Sequence, residues 1–73
     1  MNYTLKSLIK MSRKESNRAI DEISKLAYEL EMNWVAGKKP GMSPQLASVI
    51  RAELKDIGKS VDTICDKLLH ALE

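Results

Sequence analysis

Eight apolar residues in the second half of this chain recur at alternating steps of three and four: Ala47, Ile50, Leu54, Ile57, Val61, Ile64, Leu68 and Ala71. That spacing places all eight on one stripe of a single long helix. A shorter stripe of the same kind, Ile20, Ile23, Ala27, Leu30 and Trp34, lies upstream. Gly37-Lys38-Lys39-Pro40-Gly41 separates the two. Gly37 stands where a left-handed helix C-cap belongs, and Pro40 forbids the helix to continue. Ser43-Pro44 then restarts it, with serine at the N-cap and proline at the first helical position. The pattern predicts an all-α protein, an antiparallel hairpin with helices over 13–36 and 44–72 joined by a loop at 37–43.

Upstream, Ser12-Arg13-Lys14-Glu15 has the form of a capping box, in which serine and glutamate satisfy each other's backbone N–H groups. It predicts a helix start at about residue 13 and makes residues 4–11 a segment that packs separately, as a short helix of its own or as an offset extension, with Leu5, Leu8 and Ile9 on its apolar face. Residues 12–18 hold no large apolar side chain and are expected to face solvent or to lie beyond the edge of the core. Residues 3–11 also fit a strand, because apolar and basic residues nearly alternate there.

A hairpin of 73 residues buries one side of each helix only, and domains of this size are marginal on their own. Disulfides, metal or association are the usual remedies. The chain has one cysteine and one histidine, so neither an intrachain disulfide nor a zinc site can form from such residues. Association is the expected solution, as a homodimer forming a four-helix bundle. Leu46 and Val49, then Cys65, Leu69 and Leu72, widen the apolar face of the second helix beyond a two-stranded seam. Gly58, inside that helix, costs about 1 kcal/mol relative to alanine and marks a close approach or a bend. The expected protein interface is therefore Ile57, Gly58, Val61, Ile64, Cys65, Leu68, Leu69 and Leu72, with Trp34 either plugging the end of the hairpin or serving as an exposed anchor.

Charge is uneven although the net charge is only +2. Lys6, Lys10, Arg13, Lys14 and Arg18 crowd the first eighteen residues, where only Glu15 opposes them. The bland reading is a solvated surface; the sharper one is contact with an anionic partner. No chemical motif accompanies these features. His70 lies near a helix C-terminus, where it complements the dipole, and lacks the nucleophile and orienting group that catalysis needs. Cys65 reads as a small buried residue. The glycines lack the spacing of a phosphate loop. No enzyme activity, cofactor, metal or small-molecule substrate is expected. No apolar run reaches the ~20 residues of a membrane span. The lone thiol and the lack of a signal sequence point to the cytoplasm.

Surplus apolar surface without chemistry points to a small protein-binding regulator or adaptor of bacterial or phage type. It would act on a larger protein through helix-face contacts, as antirepressors, anti-activators and secretion chaperones do. A second reading rests on a resemblance. A basic N-terminal segment, followed by a helix, Gly41-Met42-Ser43 and a second helix, resembles the ribbon-helix-helix DNA-binding proteins. That resemblance implies a dimer in which residues 3–11 form a strand in the major groove, with Lys6, Leu8 and Lys10 facing DNA.

Overall fold

The computed structural model describes the backbone of residues 2–73 and the side chains from Thr4 onward. It contains two helices packed side by side, α1 (Asn2–Val35) and α2 (Pro44–Ala71), and no strand among the described residues. The Cα trace measures 54 × 17 × 10 Å, a plate two helices wide and one helix thick. Its length is that of α1 alone, since 34 residues at 1.5 Å each span about 51 Å.

The separate short helix expected over 4–11 is instead the first part of α1. The chain runs helically through Ser12, so the capping box is not used as a cap. No glycine or proline lies between residues 2 and 35, and Ser, Arg, Lys and Glu are all tolerated in a helix interior. The same continuity overturns the strand that the ribbon-helix-helix resemblance needs, because residues 4–11 are helical. The expectation that 12–18 faces solvent also fails in part. Arg13, Ser16 and Asn17 are half-buried.

The turn follows the sequence closely. Gly37 is left-handed at φ 72°. The Lys38 N–H donates to the Asn33 carbonyl at 2.8 Å and the Gly37 N–H to the Trp34 carbonyl at 3.1 Å, the two bonds of a Schellman motif. Asn33 Nδ2 donates to the Pro40 carbonyl at 2.9 Å, and the Met42 N–H returns to the Leu30 carbonyl at 3.0 Å. Ser43 caps α2 through Oγ, which accepts from the Leu46 N–H at 3.3 Å. Met42 is only 8% exposed and packs with Ala27 and Ala47, flanked by Leu30 and Ile50. Met42 therefore plugs the closed end of the hairpin, and Trp34, 54% exposed, does not.

The core is shallow. Ala27, Met42, Ala47, Leu54 and Cys65 are its buried members, and among the described residues no large side chain is fully enclosed. Small residues line the contact: Ala27 faces α2, Ala47 is fully buried, and a β-carbon added to Gly58 would meet only Ile20 Cδ1.

Candidate interaction surface

From Ala47 onward the buried or half-buried residues of α2 and its C-cap are Ala47, Ile50, Leu54, Gly58, Val61, Cys65, Leu69 and Leu72. They step by three, four and four, a repeat of eleven residues rather than seven. A straight helix with 3.6 residues per turn keeps such positions on one side, whereas a strict heptad drifts by about 20° per repeat. The seven-residue stripe of the sequence therefore begins in the seam at Ala47 and leaves it along the helix. Ile57, Ile64 and Leu68 are 51%, 57% and 48% exposed.

The expected interface accordingly divides. Gly58, Val61, Cys65, Leu69 and Leu72 turn toward α1 and stabilise the hairpin itself. Ile57, Ile64 and Leu68, with Trp34 at the loop end, stay open. On α1 the same drift leaves Ile23 and Leu26 exposed while Ile20, Ala27 and Leu30 are covered to differing degrees.

The two open stripes share one side of the plate. The helices are antiparallel, so the flank of α1 carrying Leu5, Leu8, Ile23 and Leu26 opens in the same direction as the flank of α2 carrying Leu46, Ile57, Ile64 and Leu68. All eight are exposed. Two dense apolar areas result, one toward the chain ends and one toward the loop. Between them the face carries Ser12, Glu15 and Ser60, all exposed.

The opposite flanks carry charge. Arg13 Nη2 donates to Asp66 Oδ1 at 2.5 Å and to the Asp62 carbonyl at 2.8 Å, and its Nε lies 3.5 Å from Asp62 Oδ1. That Nε is out of solvent and has no hydrogen-bond partner; at 3.5 Å the carboxylate gives attraction without a bond. The Asp66 hydrogen bond, with the charges of Asp66 and Asp62 and a contact to Cys65, raises the Arg13 pKa against the lowering effect of burial. Arg51 Nη1 reaches Glu31 Oε1 at 2.6 Å at the other end of the seam. The hairpin thus has a polar face stitched by cross-helix ion pairs at two levels, Arg13 with Asp62 and Asp66 and Arg51 with Glu31, and, among the described residues, an apolar face with no such covering.

The basic cluster is dispersed by the same geometry. Arg13 is engaged in the seam, and Arg18 lies 3.5 Å from Glu22 on its own helix. Lys6, Lys10 and Lys14 remain as an exposed row at four-residue spacing. Cys65 is a buried free thiol. His70 Nδ1 is 3.6 Å from Glu73 at the exposed end of α2. Among the described residues no three His, Cys, Asp or Glu side chains converge as metal ligands, and no helix is long and apolar enough to cross a membrane.

Sequence periodicity identified the apolar residues but not which of them stay open. Met42 was missed entirely, because it lies in the loop outside either periodic run. Compared with known proteins, the chain matches no family model, no curated protein and no solved structure.

Proposed function

We propose that this chain is a small non-enzymatic protein-binding regulator or adaptor, acting through helix-face contacts and assembling as a homodimeric four-helix bundle. The bare apolar face carries this reading. A compact monomer of 8.2 kDa exposes about 4,500 Å², and this chain exposes 5897 Å². The surplus of roughly 1,400 Å² exceeds the ~800 Å² that each partner buries in an interface of standard size and falls in the range of obligate dimers. Exposed apolar residues gathered on one face mark an interaction site, unlike the same residues scattered singly.

Light scattering of the purified protein tests it, alone and mixed with duplex DNA at low salt. A mass near twice that of one chain, unchanged by DNA, is the expected result. A monomer at every concentration overturns the assembly. A mass shift with DNA that disappears as salt rises would instead favour nucleic-acid binding through the Lys6, Lys10 and Lys14 row, because phosphate contacts release counterions.

A further inference from the structure

We infer that the apolar face is covered by a second copy of this chain in one particular arrangement: the two loops lie at opposite ends, and the two-fold axis passes close to Ser60. The inference rests on the proposed assembly and adds its geometry.

A two-fold dimer of stacked plates uses the same patch on both copies. Only two simple orientations bring the apolar faces together. With loops at the same end, α2 of one copy lies on α1 of the other. With loops at opposite ends, α2 lies on α2 and α1 on α1. Contacts within the hairpin fix the levels: Arg13 is beside Asp62 and Asp66, Gly58 beside Ile20, and Glu31 beside Arg51. The middle of the plate is therefore level with Ile20 on α1 and with Gly58 to Ser60 on α2.

Around that midpoint the open flank of α2 is nearly palindromic. Glu53 and Lys67 lie seven residues before and after Ser60, and Ile57 and Ile64 lie just inside them. All five are exposed. The opposite-ended arrangement sets Glu53 against the second copy's Lys67, and Ile57 against its Ile64, twice over. On α1 it sets Leu5 near the other Trp34 and Leu8 near the other Leu30, while Ile23 and Leu26 fall level with the other copy's Glu15 and Ser12. The same-ended arrangement puts Glu53 level with Leu26 of the other copy, between Glu22 and Glu29. Like charges across an interface disfavour that pairing, and complementary ones fix register. The opposite-ended form has a like-charge approach of its own, Glu15 toward the other Glu22, also made twice; Arg18, 3.5 Å from Glu22, offsets Glu22 in either form, so the Glu53–Lys67 pairing is what separates the two.

Disulfide trapping tests the arrangement. Cys65 is first replaced by alanine to remove the native thiol, with circular dichroism confirming that helicity is kept. In that background Ser60→Cys is oxidised under mild conditions, and Ser60→Cys is separately mixed with Ala19→Cys. Light scattering is run on each variant before oxidation. The expected result is a dimeric mass with most of the Ser60→Cys protein crosslinked to itself and little product from the mixed pair beyond that self-linked species. A dimeric mass with crosslinking dominated by the Ser60–Ala19 pair overturns the opposite-ended arrangement and leaves the proposed assembly standing. A monomeric mass in the Cys65→Ala protein and in the wild type overturns both.

Discussion

Gly58 faces Ile20 across the helix seam with room to spare: a β-carbon on Gly58 would lie 3.9 Å from Ile20 Cδ1 and would meet nothing closer. That is ordinary van der Waals contact. The glycine is thus not required by a close backbone approach within one hairpin. Gly58→Ala should stabilise the fold by about 0.4–1 kcal/mol through the restricted unfolded chain and better helix propensity. A thermal melt should show a rise of a few degrees, since each kcal/mol shifts Tm by about 4–8 °C in a domain of this size.

The turn glycines should behave in the opposite way, for two separate reasons. At Gly41 a β-carbon would sit 3.0 Å from the Lys38 carbonyl oxygen and from the Trp34 nitrogen. These are backbone atoms and cannot swing aside, so Gly41→Ala should cost about 1–3 kcal/mol. Gly37 has open space around it but a φ of +72°. Gly37→Ala should cost about 1–2 kcal/mol from the left-handed backbone alone. Denaturant titration of the two variants beside the wild type measures both, and stability equal to wild type in either would contradict the corresponding account.

Arg13 and Arg18 carry the same charge and should differ in consequence. Arg13 bridges to two acidic groups across the seam. Arg18 makes one exposed pair within its own helix, a type worth little. Arg13→Ala should lower Tm clearly, and Arg18→Ala should leave it nearly unchanged. Because the Arg13 pKa is raised in the folded state, its contribution is complete below the ordinary arginine range and is lost only as pH rises through it. The difference in Tm between wild type and Arg13→Ala should therefore hold constant from neutral to mildly alkaline pH.

Leu54 and Ile64 separate the hairpin from its assembly. Leu54 is buried in the seam at 8% exposure, and Leu54→Ala should cost about 2–3 kcal/mol, near the lower end for such truncations because the site is shallow. Ile64 is more than half exposed. Ile64→Asp should keep the helical circular dichroism signal of a concentrated sample while weakening self-association, seen as a fall in mass by sedimentation at low concentration. If Ile64→Asp remains as tightly associated as wild type, the open stripe is not the contact surface.

The hairpin itself was legible in the sequence because its signals are local. Gly37, Pro40, Ser43 and Pro44 each act within a few residues, and the helices end within two residues of where those signals place them. The start of the first helix was misread for the same reason. Ser12 and Glu15 satisfy a local rule that the surrounding helix overrides, and nothing in residues 4–11 breaks helicity. The distribution of apolar residues between seam and surface was harder to read. Val61 and Leu68 stand one heptad apart, yet Val61 is half-buried and Leu68 exposed. Their difference depends on the cumulative phase between seven residues and two turns, which a list of positions does not display.

That phase slip has a consequence for the second helix. Along its length the stripe turns like a slow screw, so any single straight neighbour loses contact with it before the end. Side chains near Ala47 point into the hairpin, whereas Ile64 and Leu68 point out of its plane. One helix thereby carries two addresses written in a single repeat, read by a sister helix at one end and open to another reader at the other.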